Sequence, residues 1–237
     1  MKTKVALMRA RDEAARSAAL LLARGFAVAR APATEIRATG ASPPPGRFDA
    51  VAATSAKAIA LLVPAARAAI AGPPLFVVGE QTAQAAAEAG IALACEAAPD
   101  VAALIAALRR RLAPHSRVLY LAGRERKSAL EAALSEAGHL TTPVEIYAAE
   151  ARAAWDEDEA RAVAGCGAAL HYSRRSAALA AALAERAGLA DHFRALLHVC
   201  LSPDAGEPLR AMGAPRLAWA REPREERLID ALERALT

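Results

Sequence analysis

The stretch Asp49-Ala-Val-Ala-Ala-Thr-Ser-Ala-Lys-Ala-Ile-Ala-Leu-Leu62 contains an apolar run, the polar pair Thr54-Ser55 and an alanine-rich segment. Short, wholly apolar strands are typical of parallel sheets that are covered on both faces. Because Thr and Ser cap helix N-termini well, the pair predicts a change from buried strand to helix, with the helix reaching about Ala71. Exposed amides and hydroxyls at such a corner suit an anion or a carboxylate.

The same order of residues returns later in the chain. The second stretch reads Ala168-Ala-Leu-His-Tyr-Ser-Arg-Arg-Ser-Ala-Ala-Leu-Ala-Ala181, with Ser173 at the polar break. Ser173 follows Ser55 by 118 positions. The two stretches indicate an internal duplication, although alanine-rich sequences also produce such similarity by chance.

A further pair of corners extends the repeat. Gly79-Glu-Gln-Thr82 follows the apolar run Leu75–Val78, and Ser202 follows the apolar run Leu197–Leu201. When the two pieces are overlaid, Gly79 matches Ser202. Each half then offers two strand-to-helix corners, which in a cleft between the halves would surround a ligand rich in hydrogen-bond acceptors.

Predicted strands and helices alternate along the whole chain. The pattern begins with a strand at Val5–Met8, a helix from Asp12 and a strand at Phe26–Ala31, and it includes a minor strand at Ile91–Leu93. Such alternation is typical of parallel sheets with helices on both faces. Because about ten strands are too many for one doubly wound sheet in 237 residues, the sequence predicts an α/β protein with two smaller sheets.

Two arginines, Arg9 and Arg11, come directly after the first predicted strand. Ligands of open α/β sheets bind at the carboxyl ends of the strands, so both are candidates for binding an anion. Surface arginines at the start of a helix would explain them equally well. The formal net charge of +4 suits an anionic small molecule and falls well short of a nucleic-acid-binding tract.

The cysteines and histidines do not indicate a metal site. Cys95, Cys166 and Cys200 are widely spaced and form no CxxC pair, which disfavours both a zinc site and a disulfide framework. His171 and His198 lie in predicted strands and are expected to be core residues with satisfied hydrogen bonds. A cytoplasmic protein is predicted, because the sequence shows no signal-peptide core and no apolar run long enough for a membrane.

Short motifs follow one another in a definite order over nearly the full length of the chain. They are Arg9 after the first strand, Pro32 after the second, Phe48-Asp49 before Thr54-Ser55, Gly79-Glu-Gln-Thr82-Ala83 with Gly90, Val118–Gly123 before Arg126-Lys127 and Leu130, Gly138 before Ile146-Tyr147, and Ser173 and Ser202. Each motif is short, but in this order and spacing they resemble the uroporphyrinogen-III synthase family.

The resemblance implies two similar flavodoxin-like domains, each a parallel sheet flanked by helices. One domain would comprise residues 1–34 with 149–237, and the other would be an inserted domain of residues 39–145. Residues 35–38 and 146–148 would form a two-stranded linker between them. This division replaces a simple cut into an N-terminal and a C-terminal half.

The family closes linear hydroxymethylbilane to uroporphyrinogen III, with inversion of ring D through a spiro intermediate and loss of water. The resemblance therefore implies a lyase of haem biosynthesis that needs no cofactor or metal. The substrate carries eight carboxylates, so hydroxyls, amides and positive charge should line its site. Ionisation of the hydroxymethyl group needs little beyond one proton donor and a constrained geometry.

The resemblance also assigns roles to individual residues. Tyr147 matches the tyrosine proposed to assist departure of the hydroxyl, although an aromatic residue that only packs at the linker would look the same. The residues implied to bind the substrate are Arg9, Thr54, Ser55, Gly79, Thr82, Ser173 and Ser202.

The chain departs from the family pattern at several positions. Lys57 stands where Asn is frequent, and Ala205 stands where Thr is common. Ala122 replaces a frequent arginine, for which Arg124 or Arg126 could compensate. The pair Arg174-Arg175 after Ser173 is unusual; it could reach the site or face solvent.

The resemblance implies a monomer with possible transient contact with the enzyme that makes hydroxymethylbilane, and no nucleic-acid or membrane partner. A non-catalytic ligand-binding or regulatory module on the same duplicated scaffold is the alternative, although such a module would tend to lose Tyr147 or the corner hydroxyls. A generic sugar or nucleotide binder is disfavoured, because no GxGxxG loop follows the first strand.

Overall fold

The computed structural model of the chain describes residues 3–91 and 95–237, which form two compact units. Unit 1 comprises Met1–Glu35 and Glu150–Thr237, and unit 2 comprises Ile36–Ala149. Apart from Ile91, the predicted minor strand Ile91–Leu93 lies outside the described residues. No helix in the described ranges has the length and apolar composition needed to cross a membrane.

Strands and helices alternate as the sequence predicts. In chain order the elements are β1 (Lys4–Leu7), α1 (Arg11–Ala23), β2 (Ala27–Arg30), β3 (Thr34–Ala38), β4 (Ala50–Ala53), α2 (Ala56–Ala60), α3 (Pro64–Ala69), β5 (Leu75–Val78), α4 (Glu80–Glu88), β6 (Cys95–Ala98), α5 (Val101–Arg111), β7 (Arg117–Gly123), α6 (Ala129–Glu136), β8 (Leu140–Ala151), α7 (Glu157–Ala164), β9 (Ala168–His171), α8 (Arg174–Arg186), α9 (Ala190–Ala195), β10 (Leu197–Cys200), α10 (Glu207–Ala211), β11 (Leu217–Trp219) and α11 (Glu225–Leu236).

Unit 1 contains a five-stranded parallel sheet in the order β11-β10-β9-β1-β2. Strands β9 and β10 are buried along their full lengths, as expected for central strands of a covered sheet. Helices α1 and α11 pack on one face, and α7, α8, α9 and α10 pack on the other. The carboxyl ends of β1 and β9 are followed by Arg9 and Ser173, so two predicted site residues lie at the same edge of this sheet.

Unit 2 contains a six-stranded sheet in the order β3-β8-β7-β4-β5-β6, and the pairs from β8 to β6 are parallel. Strand β4, which the opening stretch predicts as buried, is buried at all of its residues. Helices α2, α3 and α4 cover one face, and α5 and α6 cover the other. The predicted class, α/β with two helix-flanked parallel sheets, is confirmed.

The predicted single helix from the Thr54-Ser55 corner to Ala71 is wrong. The segment forms two short helices, α2 and α3, and Pro64 is the first residue of the second one. Proline lacks the N–H that a continuing helix needs, and its ring clashes with the preceding turn. Proline is favoured at the first position of a new helix, so the break falls immediately before it.

The core of unit 1 holds two hydrogen-bonded histidines. His171 Nε2 lies 3.0 Å from His198 Nδ1, and His198 Nε2 lies 2.8 Å from the Phe193 carbonyl oxygen. Because a carbonyl only accepts, His198 Nε2 donates to it, and His198 Nδ1 accepts from His171 Nε2–H. Burial lowers the pKa of His171, and it lowers the pKa of His198 to about 4.

The prediction of satisfied core histidines is therefore correct for His198 and wrong for one nitrogen of His171. His171 Nδ1 is buried and has no hydrogen-bond partner in the part of the chain that the structure describes. The Phe193 ring lies edge-on to the imidazole, with 6.1 Å between the ring centroids, and brings an apolar group against it.

Candidate functional site

A pocket of about 590 Å³ lies in unit 2 where β4 and β5 end. It brings together four of the predicted substrate-binding residues, Thr54, Ser55, Gly79 and Thr82. The two corners meet because β4 and β5 are adjacent parallel strands, whose carboxyl ends share one edge of the sheet. The remaining lining residues are Ala56, Lys57, Val78, Glu80, Gln81 and Pro99.

Ser55 and Gly79 shape the two corners of this pocket. Ser55 is the N-cap of α2, and its Oγ accepts a hydrogen bond of 3.3 Å from the Lys57 backbone N–H. Gly79 precedes α4 with a φ of 79°, in the left-handed region that favours glycine. Because α2 has only five residues, the dipole of that helix is small.

Thr54 makes a hydrogen bond that the sequence does not reveal. Its hydroxyl lies 2.9 Å from the hydroxyl of Tyr120 on the neighbouring strand β7. Tyr120 is 2% exposed, and burial raises the pKa of its phenol. Tyr120 stands in the apolar run Val118–Ala122, where the sequence pattern alone indicates an ordinary core residue.

Tyr147, on β8, lies near one lining residue of this pocket. The Lys57 ammonium, whose residue lines the pocket, is 5.9 Å from the centroid of the Tyr147 ring. A β-bulge positions this ring: Ala122 is paired with Glu145, but Gly123 is paired with Tyr147. The ring then packs directly on Gly123, where an added Cβ would come within 2.6 Å of a ring carbon.

Two arginines near Tyr147 are already engaged by carboxylates. Arg126 contacts Glu131 at 3.1 Å and Glu145 at 3.3 Å, and Arg124 contacts Glu145 at 3.1 Å. The hydrogen bond from Arg124 is the largest cause that lowers the pKa of the Glu145 carboxyl. The suggested compensation for Ala122 by Arg124 or Arg126 would therefore require these ion pairs to open.

In unit 1, Arg9 belongs to a polar cluster. Its guanidinium lies 3.5 Å from a Glu225 oxygen and 3.4 Å from the Ser17 hydroxyl, and it stacks 4.5 Å from the centroid of the Tyr172 ring. Glu225 also accepts hydrogen bonds from the Ser17 hydroxyl and, at 2.8 Å, from the Tyr172 hydroxyl. The side chain of Arg11, the other predicted anion ligand, is outside what the structure describes.

Ser173 and Ser202 each cap a turn in unit 1. Ser173 Oγ accepts from the Ser176 backbone N–H at 3.2 Å, and Ser202 Oγ accepts from the Ala205 backbone N–H at 3.3 Å. An exposed ion pair of 3.6 Å joins Arg174 to Asp204, linking the helix that follows Ser173 to the turn that follows Ser202. The structure thus places these two predicted residues near one another.

The family model described as Uroporphyrinogen-III synthase HemD matches residues 15–230. No curated protein matches the chain.

Solved structures are similar over the whole chain. One is the uroporphyrinogen-III synthetase of Helicobacter pylori 26695, with 16% identity, complete coverage of both chains and a TM-score of 0.53. Another is the uroporphyrinogen III synthase of Thermus thermophilus, with 19% identity, complete coverage of both chains and a TM-score of 0.43. At these identities the Helicobacter structure supports the fold alone.

Family membership is decided by the family match, which covers most of the 237 residues. The chain therefore belongs to the uroporphyrinogen-III synthase HemD family, and this match confirms the predicted activity, the cyclisation of hydroxymethylbilane to uroporphyrinogen III.

Proposed function

We propose that the unit 2 pocket binds a carboxylate of hydroxymethylbilane and holds the reacting end of the substrate beside Tyr147. One observation carries this proposal: Lys57 lines the pocket that contains Thr54 and Ser55, and its ammonium is 5.9 Å from the Tyr147 ring centroid. A carboxylate-binding surface and a candidate proton donor are therefore adjacent within a single unit.

The chemistry of the pocket suits a carboxylate. The hydroxyls of Thr54, Ser55 and Thr82 can donate hydrogen bonds, and the Lys57 ammonium adds a positive charge. Gly79 has no side chain to hold an anion away from the backbone, and nothing lies within 4 Å of the position where its Cβ would be. Glu80, also in the wall, opposes anion binding and tempers the affinity.

Tyr147 is proposed as the general acid. Its phenol donates a proton to the hydroxymethyl oxygen, the C–O bond breaks with its electron pair on oxygen, and water leaves. The substrate becomes an azafulvene cation, stabilised by its own pyrrole nitrogen, and Tyr147 becomes a phenolate. After ring D attacks through the spiro intermediate, the proton released when the pyrrole regains aromaticity can return to Tyr147. The Lys57 ammonium, 5.9 Å from the ring centroid, makes a cation–π contact that helps to fix the position of the ring, which supports a role for Lys57.

Arg9, Ser173 and Ser202 are proposed to bind further carboxylates. Arg9 and Ser173 follow strands of the unit 1 sheet at their carboxyl ends, where ligands of α/β sheets bind. For Arg9 this requires exchange of the Glu225 carboxylate for one from the substrate. The serines already accept one backbone hydrogen bond each. The Ser202 proton can be donated to a carboxylate, whereas the Ser173 proton is donated to Ser176 Oγ at 3.1 Å and would have to turn away from it to reach the substrate.

We further propose a cytoplasmic monomer whose two units are the predicted domains, residues 1–34 with 149–237 and residues 39–145. All three cysteines are free thiols, as a reducing compartment favours. Transient contact with the enzyme that makes hydroxymethylbilane is proposed because the bilane closes by itself to the type I isomer unless it is captured.

A coupled assay tests the function. Hydroxymethylbilane is generated in situ, and the type I and type III isomers are separated after oxidation to porphyrins. We expect type III product in proportion to the amount of this protein. Formation of the type I isomer alone, at the uncatalysed rate, would contradict the proposed activity. Thr54→Val and Lys57→Gln test the pocket. Ser116→Ala is the matched control, because it removes a buried hydroxyl that donates to the Ala113 carbonyl oxygen in the loop before β7.

A further inference from the structure

Tyr120 lies behind the unit 2 pocket rather than in its wall. It is 2% exposed and absent from the lining residues, yet its hydroxyl is 2.9 Å from that of Thr54, which lines the pocket. The register explains the contact. Tyr120 on β7 is paired with Ala52 on β4, and Thr54 lies two residues after Ala52, directly beyond the end of β4. Tyr120 therefore touches a proposed substrate-binding residue without touching the pocket itself.

The Tyr120 ring has a defined position. It packs among apolar side chains of β4, α5 and α6, including Ala52, Leu104 and Leu130. A close-packed ring holds its hydroxyl at one point, and Thr54 is the side-chain partner found there. Burial raises the pKa of this phenol, so it retains its proton at neutral pH and can donate.

The direction of the Thr54–Tyr120 hydrogen bond depends on what occupies the pocket. Each hydroxyl has one proton and can also accept, so without an anion either can be the donor. A carboxylate only accepts, so Thr54 must direct its proton to the carboxylate when one is bound. The Thr54 oxygen is then available to accept from Tyr120, and the two hydrogen bonds form a chain that polarises in one direction.

We infer that Tyr120 is a positioning residue for substrate binding, which donates to the Thr54 oxygen and thereby aims the Thr54 proton at a substrate carboxylate. This inference rests on the proposed function, because it requires Thr54 to bind a carboxylate. It assigns Tyr120 no contact with substrate and no part in the proton transfer by Tyr147.

The experiment compares Tyr120→Phe, Thr54→Val and the double variant in the coupled assay, with Ser116→Ala as the control. For Thr54→Val we expect KM for hydroxymethylbilane to rise about 10-fold, since one charge-assisted hydrogen bond is lost. For Tyr120→Phe we expect KM to rise about 5-fold with kcat within about 2-fold. The double variant should match Thr54→Val alone, because Tyr120 acts through Thr54.

The outcomes separate this inference from the proposed function. If Thr54→Val raises KM and Tyr120→Phe does not, the positioning role is overturned and carboxylate binding stands. If Thr54→Val leaves KM unchanged, the proposed role of Thr54 fails, and the inference fails with it. Full additivity in the double variant, or an equal KM change in Ser116→Ala, would show that Tyr120 acts through general packing and would overturn the inference.

A second measurement covers the case in which Tyr120→Phe does not fold. The protein has three tyrosines, so labelling at tyrosine ¹³Cζ gives three resonances, and Thr54→Val should shift that of Tyr120. Addition of uroporphyrin III, the stable oxidised product, should move this resonance in the wild type but not in Thr54→Val. A resonance that is insensitive to the porphyrin in the wild type would overturn the inference.

Discussion

The corner after β4 in unit 2 and the corner after β1 in unit 1 both place a cation at the carboxyl end of a parallel sheet. In unit 2 the cation, Lys57, lines an open pocket with hydroxyl side chains. In unit 1 the cation, Arg9, is paired with Glu225 and stacked on Tyr172. The two corners therefore differ in electrostatic environment, because Glu225 comes from a helix 216 residues away in the chain.

This difference predicts which property each corner controls. Substitutions around Lys57 and Tyr147 should change the kinetics of the reaction, because these groups face or adjoin a pocket. Substitutions around Arg9 should change the stability of unit 1, because its partners are internal. The two tryptophans, Trp155 and Trp219, both belong to unit 1, so tryptophan fluorescence follows the unfolding of that unit separately.

The largest expected effect is on kcat, and it distinguishes Tyr147 from Tyr172. Tyr147→Phe should lower kcat about 100-fold, the lower end of what a general acid contributes. Tyr172→Phe should leave kcat within about 2-fold, because the Tyr172 hydroxyl donates to Glu225 rather than into a pocket. Steady-state rates of type III formation measure both. Retained turnover in Tyr147→Phe would show that Tyr147 is not the general acid. Equal losses of kcat in both variants would contradict the proposed difference between the two corners.

Acidification should weaken unit 1 through its buried histidines. Both pKa values are lowered in the folded state, that of His198 to about 4, against about 6.5 in the unfolded chain. The unfolded state therefore binds more protons in this window, and stability that is complete above about pH 6.5 is lost as the pH falls toward 4. From pH 7.5 to pH 5 the loss should be about 2 kcal/mol for His198, and the lowered pKa of His171 adds to it.

Urea unfolding followed by tryptophan fluorescence measures this loss. The comparison is between the wild type and His171→Gln/His198→Gln, because glutamine can donate and accept hydrogen bonds but does not titrate. The pH dependence of the unfolding free energy should become shallower in the variant. An unchanged dependence would mean that other groups in unit 1 are responsible.

Much of the fold can be predicted from local sequence patterns. The strands that carry His171 and His198 follow from local apolar runs, and so do the two sheets and the corners at Thr54, Gly79 and Ser173. Parallel strands bring their carboxyl ends to one edge, so the clustering of corner residues in the unit 2 pocket also follows from local pattern. The break at Pro64 could likewise have been predicted, because its chemistry is local.

Partners from distant parts of the chain could not be predicted. The pairing of Arg9 with Glu225 depends on the packing of α11 against the sheet, and the bond from Tyr120 to Thr54 depends on strand order and register. The bulge at Gly123, which places the Tyr147 ring, depends on one extra residue in β8. No local pattern of residue types records these relationships.

Removal of the Lys57 charge should have an effect of intermediate size on substrate binding in the pocket. Lys57→Gln should raise KM about 10-fold, equivalent to about 1.4 kcal/mol of substrate binding, with a smaller fall in kcat through its effect on Tyr147. Its unfolding free energy should change by less than about 1 kcal/mol, since Lys57 is only partly buried. If the variant loses more unfolding free energy than substrate-binding free energy, Lys57 is mainly a stabilising residue, as Arg9 is expected to be.

The smallest expected effect concerns Arg9 and its partner. Arg9→Gln should lower the unfolding free energy of unit 1 by about 1 kcal/mol, because its contacts to Glu225 and Ser17 are long and its side chain is 28% exposed. Glu225 would keep its hydrogen bonds from Ser17 and Tyr172, which limits the loss.

Glu225→Gln then shows whether Arg9 also binds substrate. Glutamine can still accept from Tyr172 through its amide oxygen, but it no longer neutralises the guanidinium. If a substrate carboxylate competes with Glu225 for Arg9, KM for hydroxymethylbilane should fall about 2-fold in Glu225→Gln, and this gain should vanish when Arg9→Gln is added. If KM is unchanged in Glu225→Gln, Arg9 is a structural residue of unit 1, and substrate binding by charge is confined to the Lys57 corner.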